Sequence, residues 1–332
     1  MLESLAAPSR RGFLAGAAGA AFVAISGSDS AQAAVSGFGR GSLSGLPWNS
    51  GCGLDGINAF EAYRGRKADT YTLWCAHQGW SDIARLPGGF RTVAKLPGRI
   101  SVGFAMLPDS ASAVSNPGNW KLAAKGSFDG YYTQFARNLA ATGRTNVIVR
   151  IGWESNRGFP WYGGSDPQGF KDSFKRIADI LRRYNPTVLI DWTNVKKGSQ
   201  RGSVLTLYPG DDAVDIVSCD YYDGWPALNT EQIWAQQYHA TYAGGPWGIG
   251  AWLDFAKSRG KLFACPEWGI STGESPGAVD NPLYIQKMYE FFSANSPYIA
   301  YENYFNQKPR HQLTPSSQNP LASAAYRRLW GV

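Results

Sequence analysis

Histidine and cysteine are scarce in this 332-residue chain, with three His and four Cys. The histidines, His77, His239 and His311, are far apart, and no HExxH or CxxC pair occurs. That spacing excludes the common zinc motifs, and four Cys are too few for a disulfide-scaffold miniprotein. Long apolar runs are also lacking. Beyond the N-terminus none approaches the roughly 20 residues a membrane-spanning helix needs, which excludes a polytopic membrane protein. Only 17% of residues are charged, and 13 Trp, 17 Tyr and 16 Phe supply far more aromatic surface than a disordered chain carries. Basic residues outnumber acidic ones, 32 to 25, for a net charge of +7. They are scattered, with only doublets such as Arg182-Arg183, Lys196-Lys197 and Arg327-Arg328. The sequence therefore proposes no nucleic-acid patch.

The N-terminus reads as an address. Ser9-Arg10-Arg11-Gly12-Phe13-Leu14 precedes a weakly hydrophobic Gly/Ala stretch that ends near Ile25, and Ala31-Gln32-Ala33 places small residues at a cleavage site. Residues 1–33 are expected to be a twin-arginine export signal, and residues 34–332 one mature domain, periplasmic or secreted, soluble and monomeric. In an oxidising compartment Cys52, Cys75, Cys219 and Cys265 can pair or stay as buried thiols, and the sequence leaves both open.

Strands are expected at about Val35–Arg40, Thr70–Cys75, Ile100–Met106, Asn146–Ile151, Thr187–Thr193, Val214–Tyr221, Lys261–Glu267 and Tyr298–Tyr304. Helical patterns lie between them at Leu54–Tyr63, Phe128–Thr142, Pro167–Tyr184, Thr230–Tyr238, Ala251–Ser258 and Pro282–Ala294. The clearest has Phe170, Phe174, Ile177, Ala178 and Leu181 at helical spacing, stopped by Pro186. Eight strand–helix units over roughly 300 residues predict an α/β chain folded as a single (β/α)8 TIM barrel. A doubly wound sheet would carry GxGxxG at a strand–helix turn. Gly37-Phe38-Gly39-Arg40-Gly41 lacks that spacing.

A barrel places its reactive groups after the C-terminal ends of its strands. The fourth predicted strand runs into Gly152-Trp153-Glu154-Ser155-Asn156, and the seventh into Glu267-Trp268-Gly269. Two carboxylates across one pocket can cleave a glycosidic bond, one protonating the leaving oxygen and the other attacking the anomeric carbon. An indole beside Glu154 would desolvate it and raise its pKa. Asn156 can hydrogen-bond a hydroxyl, and Trp153, Trp161, Tyr162, Tyr222, Trp225 and Trp268 can stack on sugar faces. Trp192, Trp234 and Trp330 read as core. No cofactor or metal is called for.

Three segments carry a resemblance. Arg150-Ile151-Gly152-Trp153-Glu154-Ser155-Asn156, followed by Trp161-Tyr162-Gly163-Gly164, resembles the acid/base segment of glycoside hydrolase family 26. Tyr208-Pro209-Gly210-Asp211-Asp212 through Asp220-Tyr221-Tyr222 resembles its sixth-strand segment, and Lys261 through Gly269 its nucleophile segment. The likeness runs in order from about Ser36 to Asn306. It implies a retaining (β/α)8 enzyme acting on a polysaccharide, most often mannan, with some β-glucanases and xylanases in the family. It implies Glu154 as acid/base, Glu267 as nucleophile, Tyr222 as hydrogen-bonded to the nucleophile, and Trp161 and Tyr162 along the cleft. Two positions depart from the family pattern. Trp153 stands where His is usual, and Trp268 where mannanases commonly have Phe.

Two other readings use the same residues. A carbohydrate-binding protein on a degenerate barrel would keep the aromatics without cleavage. A serine hydrolase would use Ser271 or Ser275, each within GxSxG, followed by Asp280 and His311. That motif should lead straight into a helix, and here Gly and Pro follow instead.

Overall fold

The computed structural model describes residue 38 and residues 41–53, 56–315 and 318–332. The expected leader and, Phe38 apart, the expected Val35–Arg40 strand lie outside the described residues. Eight parallel strands close into a barrel in which each pairs with its neighbours in sequence. They are β1 (Ser50–Gly53), β2 (Thr70–Trp74), β3 (Arg99–Phe104), β4 (Val147–Ile151), β5 (Leu189–Val195), β6 (Ile216–Asp223), β7 (Leu262–Ile270) and β8 (Ile299–Tyr304). The ring closes where Ser50 pairs with Glu302 and Cys52 with Tyr71. Among the described residues eight helices of seven or more residues surround it: α1 (Ile57–Arg64), α2 (Gly118–Ala124), α3 (Asp129–Ala140), α4 (Pro167–Tyr184), α5 (Glu231–Tyr238), α6 (Ile249–Ser258), α7 (Pro282–Ala294) and α8 (Pro320–Trp330).

The first barrel strand is therefore Ser50–Gly53, not the β-rich run at 35–40. Its Ser-Gly-Cys-Gly sequence has no β-branched or alternating signal, and at Gly51 the surroundings forbid a side chain. A Cβ on Gly51 would run into the Thr70 carbonyl and the Asn303 amide. The strongest helix is explained by its pattern. Asp166 accepts the Gly169 N–H at 3.0 Å, Pro167 fills the first turn, and Phe170, Phe174, Ile177 and Leu181 are buried. Each such side chain contributes about 1.5–3 kcal/mol by leaving water.

Barrel interior and helix layer form separate cores. Ile148, Ile216, Leu262, Ala264, Ala300 and Tyr301 fill the inside of the barrel, while the larger cluster lies between strands and helices. β7 carries one extra residue relative to both neighbours. Its partners pass from Ser218↔Ala264 to Tyr221↔Trp268 on one side, and from Glu302↔Cys265 to Tyr304↔Trp268 on the other. Such a bulge re-aims the side chains that follow it.

All four cysteines are free and buried. Burial pushes the Cys52 thiol up to about 12 and raises the other three, so they pack as small apolar groups.

Candidate active site

The loops after β4, β5, β6 and β7 surround an open cleft of about 510 Å3 at the strands' C-terminal ends. Glu154, Glu267, Trp153, Tyr222 and Trp225 line it together. Glu154 reaches the cleft through an unusual backbone. After β4 the chain turns at Gly152 (φ 58°), where a Cβ would strike the Met106 sulfur, and Glu154 itself sits at φ 51°. A non-glycine residue in that region costs of order 1 kcal/mol or more and clusters at functional sites. Glu154 is 4% exposed, and its carboxylate accepts a hydrogen bond from Arg157 Nη1 at 3.2 Å. Burial and then the charge of Glu267 push its pKa up to about 7, against the opposing pull of Arg157 and Arg150.

Glu267 follows the β7 bulge and is held from three sides. Arg150 Nη1 and Trp74 Nε1 donate to Oε1 at 2.8 and 2.7 Å, and the Tyr222 hydroxyl donates to Oε2 at 3.1 Å. Arg150 is fully buried and also pairs with Asp220, itself buried. One guanidinium thus bridges two buried carboxylates from β6 and β7. With its position fixed and a guanidinium beside it, Glu267 presents a carboxyl oxygen to the cleft. Neither Trp74 nor the Arg150–Asp220 pair is given a role by sequence reasoning. The usable signals are a charged residue inside an apolar strand (Arg150) and a Trp at a strand end (Trp74).

Three expected sugar contacts lie elsewhere. Asn156 is 1% exposed, and both ends of its amide are committed to Val195: Nδ2 donates to the carbonyl at 2.8 Å, and Oδ1 accepts the N–H at 2.9 Å. It ties the β4 loop to the end of β5. Trp161 is buried behind Trp153, donates to the Trp153 carbonyl at 2.8 Å, and stacks on Phe159. Trp268 is fully buried outside the barrel, against Trp330 and Tyr304. Tyr162 lines an adjoining hollow of about 420 Å3. Trp225, 48% exposed on the rim, has the Lys197 ammonium over its ring at 4.2 Å. Trp192, Trp234 and Trp330 are core residues.

The serine-hydrolase residues form no relay. Asp280 caps α8, accepting the Leu321 and Ala322 N–H groups at 2.7 Å each. His311 Nδ1 is bonded to the Ile270 carbonyl. Ser271 Oγ has no hydrogen-bond partner among the described residues. No group of three or more potential ligands placed to hold a metal occurs among the described residues.

No protein-family model matches the chain. A mannan endo-1,4-beta-mannosidase from Bifidobacterium adolescentis is 23% identical over 199 residues, which is 54% of this chain and 19% of that protein. The chain thus spans about a fifth of the length of that relative. Among solved structures, family 26 protein GH26C from a Muricauda species superposes with a TM-score of 0.63 at 16% identity, covering 91% of this chain and 89% of that one. The catalytic domain of a Bacillus family 26 endo-beta-1,4-mannanase gives 0.58 at 16%, covering 92% and 91%. A family 26 beta-mannanase from Bacteroides ovatus gives 0.61 at 13%, covering 91% and 92%. The likeness spans the whole barrel, and the chain has the (β/α)8 fold of the glycoside hydrolase family 26 structures.

Proposed function

We propose that the protein is a retaining β-glycosidase of the family 26 kind, acting on a polysaccharide by double displacement. The observation that carries the reading is the environment of two carboxylates in one cleft. One has its pKa raised to about 7, and the other is fixed as a charge-balanced carboxylate by Arg150, Trp74 and Tyr222. That is the division of labour glycosidic cleavage needs. In the first step a Glu267 oxygen bonds the anomeric carbon while the glycosidic C–O bond breaks, and Glu154 gives its proton to the departing oxygen. Esterification removes the Glu267 charge, one of the two causes that raise the Glu154 pKa. Glu154 then suits the second step, taking a proton from the water that attacks the anomeric carbon and frees Glu267. An endo-β-mannanase is the activity the relatives' names favour, with β-glucan and other glycans as alternatives.

Azide separates the two roles. On an aryl glycoside, Glu154→Ala with azide should turn over faster and give the β-glycosyl azide, and Glu267→Ala should give the α-azide. The same anomer from both, or inverted wild-type products, would overturn the assignment. Retained binding with no cleavage by wild type would favour the carbohydrate-binding reading.

We also infer export by the paired-arginine leader. The double variant Arg10→Lys, Arg11→Lys should stay in the cytoplasm, and normal export of it would sink that inference.

A further inference from the structure

The β5 loop contributes three cations to the cleft and its side hollow: Lys196 and Lys197 line the cleft, and Arg201 lines the hollow that meets it at Ser199. Among the described residues neither Lys197 nor Arg201 makes an ion pair, and the charge of Lys196 is offset by the buried Asp223. The cleft's carboxylates are already matched: Glu154 by Arg157 at 3.2 Å, Glu267 by Arg150 at 2.8 Å, and Glu274 by Arg310 at 3.9 Å. Lys196 is 3% exposed, and its ammonium donates to the Gly224 and Pro226 carbonyls at 3.2 and 3.4 Å. Those bonds hold the loop that presents Trp225, whose ring carries the Lys197 ammonium at 4.2 Å. In the hollow Gln200 Oε1 is buried with no hydrogen-bond partner among the described residues, an acceptor left open for a hydroxyl.

We infer that the β5-loop side of the cleft is an anion subsite and that the natural polysaccharide carries carboxylates, with Lys197 and Arg201 reading the charge while Trp225 stacks on the sugar. The inference rests on the glycan-cleft reading above and names its substrate class. Lys197 and Arg201 are exposed and have no carboxylate partner among the described residues, so a carboxylated ligand can supply one. An arginine on the hollow's wall suits a planar carboxylate, and a lysine over an exposed indole holds its charge at the rim. The carboxylate can belong to a uronic acid within the backbone or to a substituent on a neutral backbone. Both present the same group at the same distance scale.

Binding distinguishes these without needing turnover. Calorimetry on Glu267→Gln would use three probes of equal length: β-1,4-manno-oligosaccharide, β-1,4-mannuronate oligosaccharide, and manno-oligosaccharide bearing a glucuronate branch. At 50 mM salt at least one acidic probe should bind tenfold or more tighter than the neutral one. Which of the two does so assigns the charge to backbone or branch. The advantage should fall severalfold at 500 mM salt, and it should vanish when Lys197→Gln and Arg201→Gln are added. Both residues are exposed, so their replacement leaves the fold intact. Equal affinities, tighter neutral binding, no binding of any probe, or an advantage that survives the double substitution would each overturn the inference. Wild type is assayed on the same probes for cleavage. Acidic preference without cleavage sinks the glycosidase reading alone, and cleavage with no acidic preference sinks the anion subsite alone.

Discussion

Two buried glutamates on neighbouring strands, Glu267 and Glu302, have similar partners and opposite fates. Glu267 takes an indole N–H from Trp74, a phenol from Tyr222 and a guanidinium from Arg150, and one edge opens to the cleft. Glu302 takes three indole N–H groups, from Trp48 at 3.2 Å, Trp330 at 3.0 Å and Trp268. It is fully sealed beneath α8, and burial raises its pKa. What separates them is the face of the barrel. The extra residue in β7 turns Glu267 inward to the mouth and sends Trp268 outward to Glu302. Without it, alternation from Leu262 and Ala264 would place Trp268 inside and Glu267 in the helix layer. On the proposed function, reactivity belongs to a carboxylate that is held, charge-balanced and reachable. Glu302 meets only the first of these conditions.

The sharpest test of the contrast replaces each in turn. Glu267→Gln should lower kcat/KM on polymer by about 10^4-fold or more, with a melting temperature near that of wild type. Glu302→Gln should do the reverse. One amide oxygen cannot serve three indoles, and its NH2 opposes a donor, so the cost is about 1–3 kcal/mol and several degrees in Tm, with kcat kept below the transition. Calorimetric melting and initial rates on the same preparations decide it. Equal loss of activity in both variants would break the comparison.

The next largest effect concerns the cation that Glu267 has and Glu302 lacks in direct contact. Arg150→Met strips the partner from both Asp220 and Glu267 and should cost about 3–5 kcal/mol. Asp220 already has its pKa raised by burial, with Arg150 as the main opposing influence. Removing that influence raises the native pKa further, so the native state holds its proton to higher pH. The stability deficit should be smallest at acid pH, where Asp220 is protonated in both proteins, and grow as the pH rises through its wild-type native pKa. Urea melts across a pH series check the sign, and a deficit that shrinks with rising pH would refute it.

The barrel was legible in the sequence because strand–helix alternation is a property of apolar spacing, which burial enforces along the whole chain. Pro167–Tyr184 and Pro282–Ala294 were readable to the residue, because a capping Asp166 or Asn281, a first-turn Pro and a periodic apolar face all agree. What stayed hidden depended on contacts distant in sequence. β1 needs a glycine at position 51 because Thr70 and Asn303 crowd it there. α8 is held by an Asp280 cap 41 residues away from Leu321. At the site, the two Glu-Trp neighbourhoods were visible. The β7 bulge that separates Glu267 from Trp268, and the use of Asn156 as a clamp on Val195, were not.

The smallest effect probes Glu154, the cleft carboxylate whose pKa is set by balance. Burial and the Glu267 charge raise it, while Arg157 lowers it through an ion pair at 3.2 Å. Arg157 is 55% exposed at its side chain, so solvent screens its influence. Arg157→Gln removes the cation and keeps a hydrogen-bond donor of similar reach. The proton on Glu154 should then be held more tightly. The alkaline limb of kcat/KM reports loss of that proton in the free enzyme, and in wild type it should fall near pH 7. In the variant it should move to higher pH by less than about one unit, because only a screened charge is lost. The acid limb should stay in place. A rise in the alkaline limb alone identifies Glu154 as the acid. Movement of the acid limb, or a fall in the alkaline one, would mean that Arg157 acts on Glu267 or that Glu154 is not the proton donor.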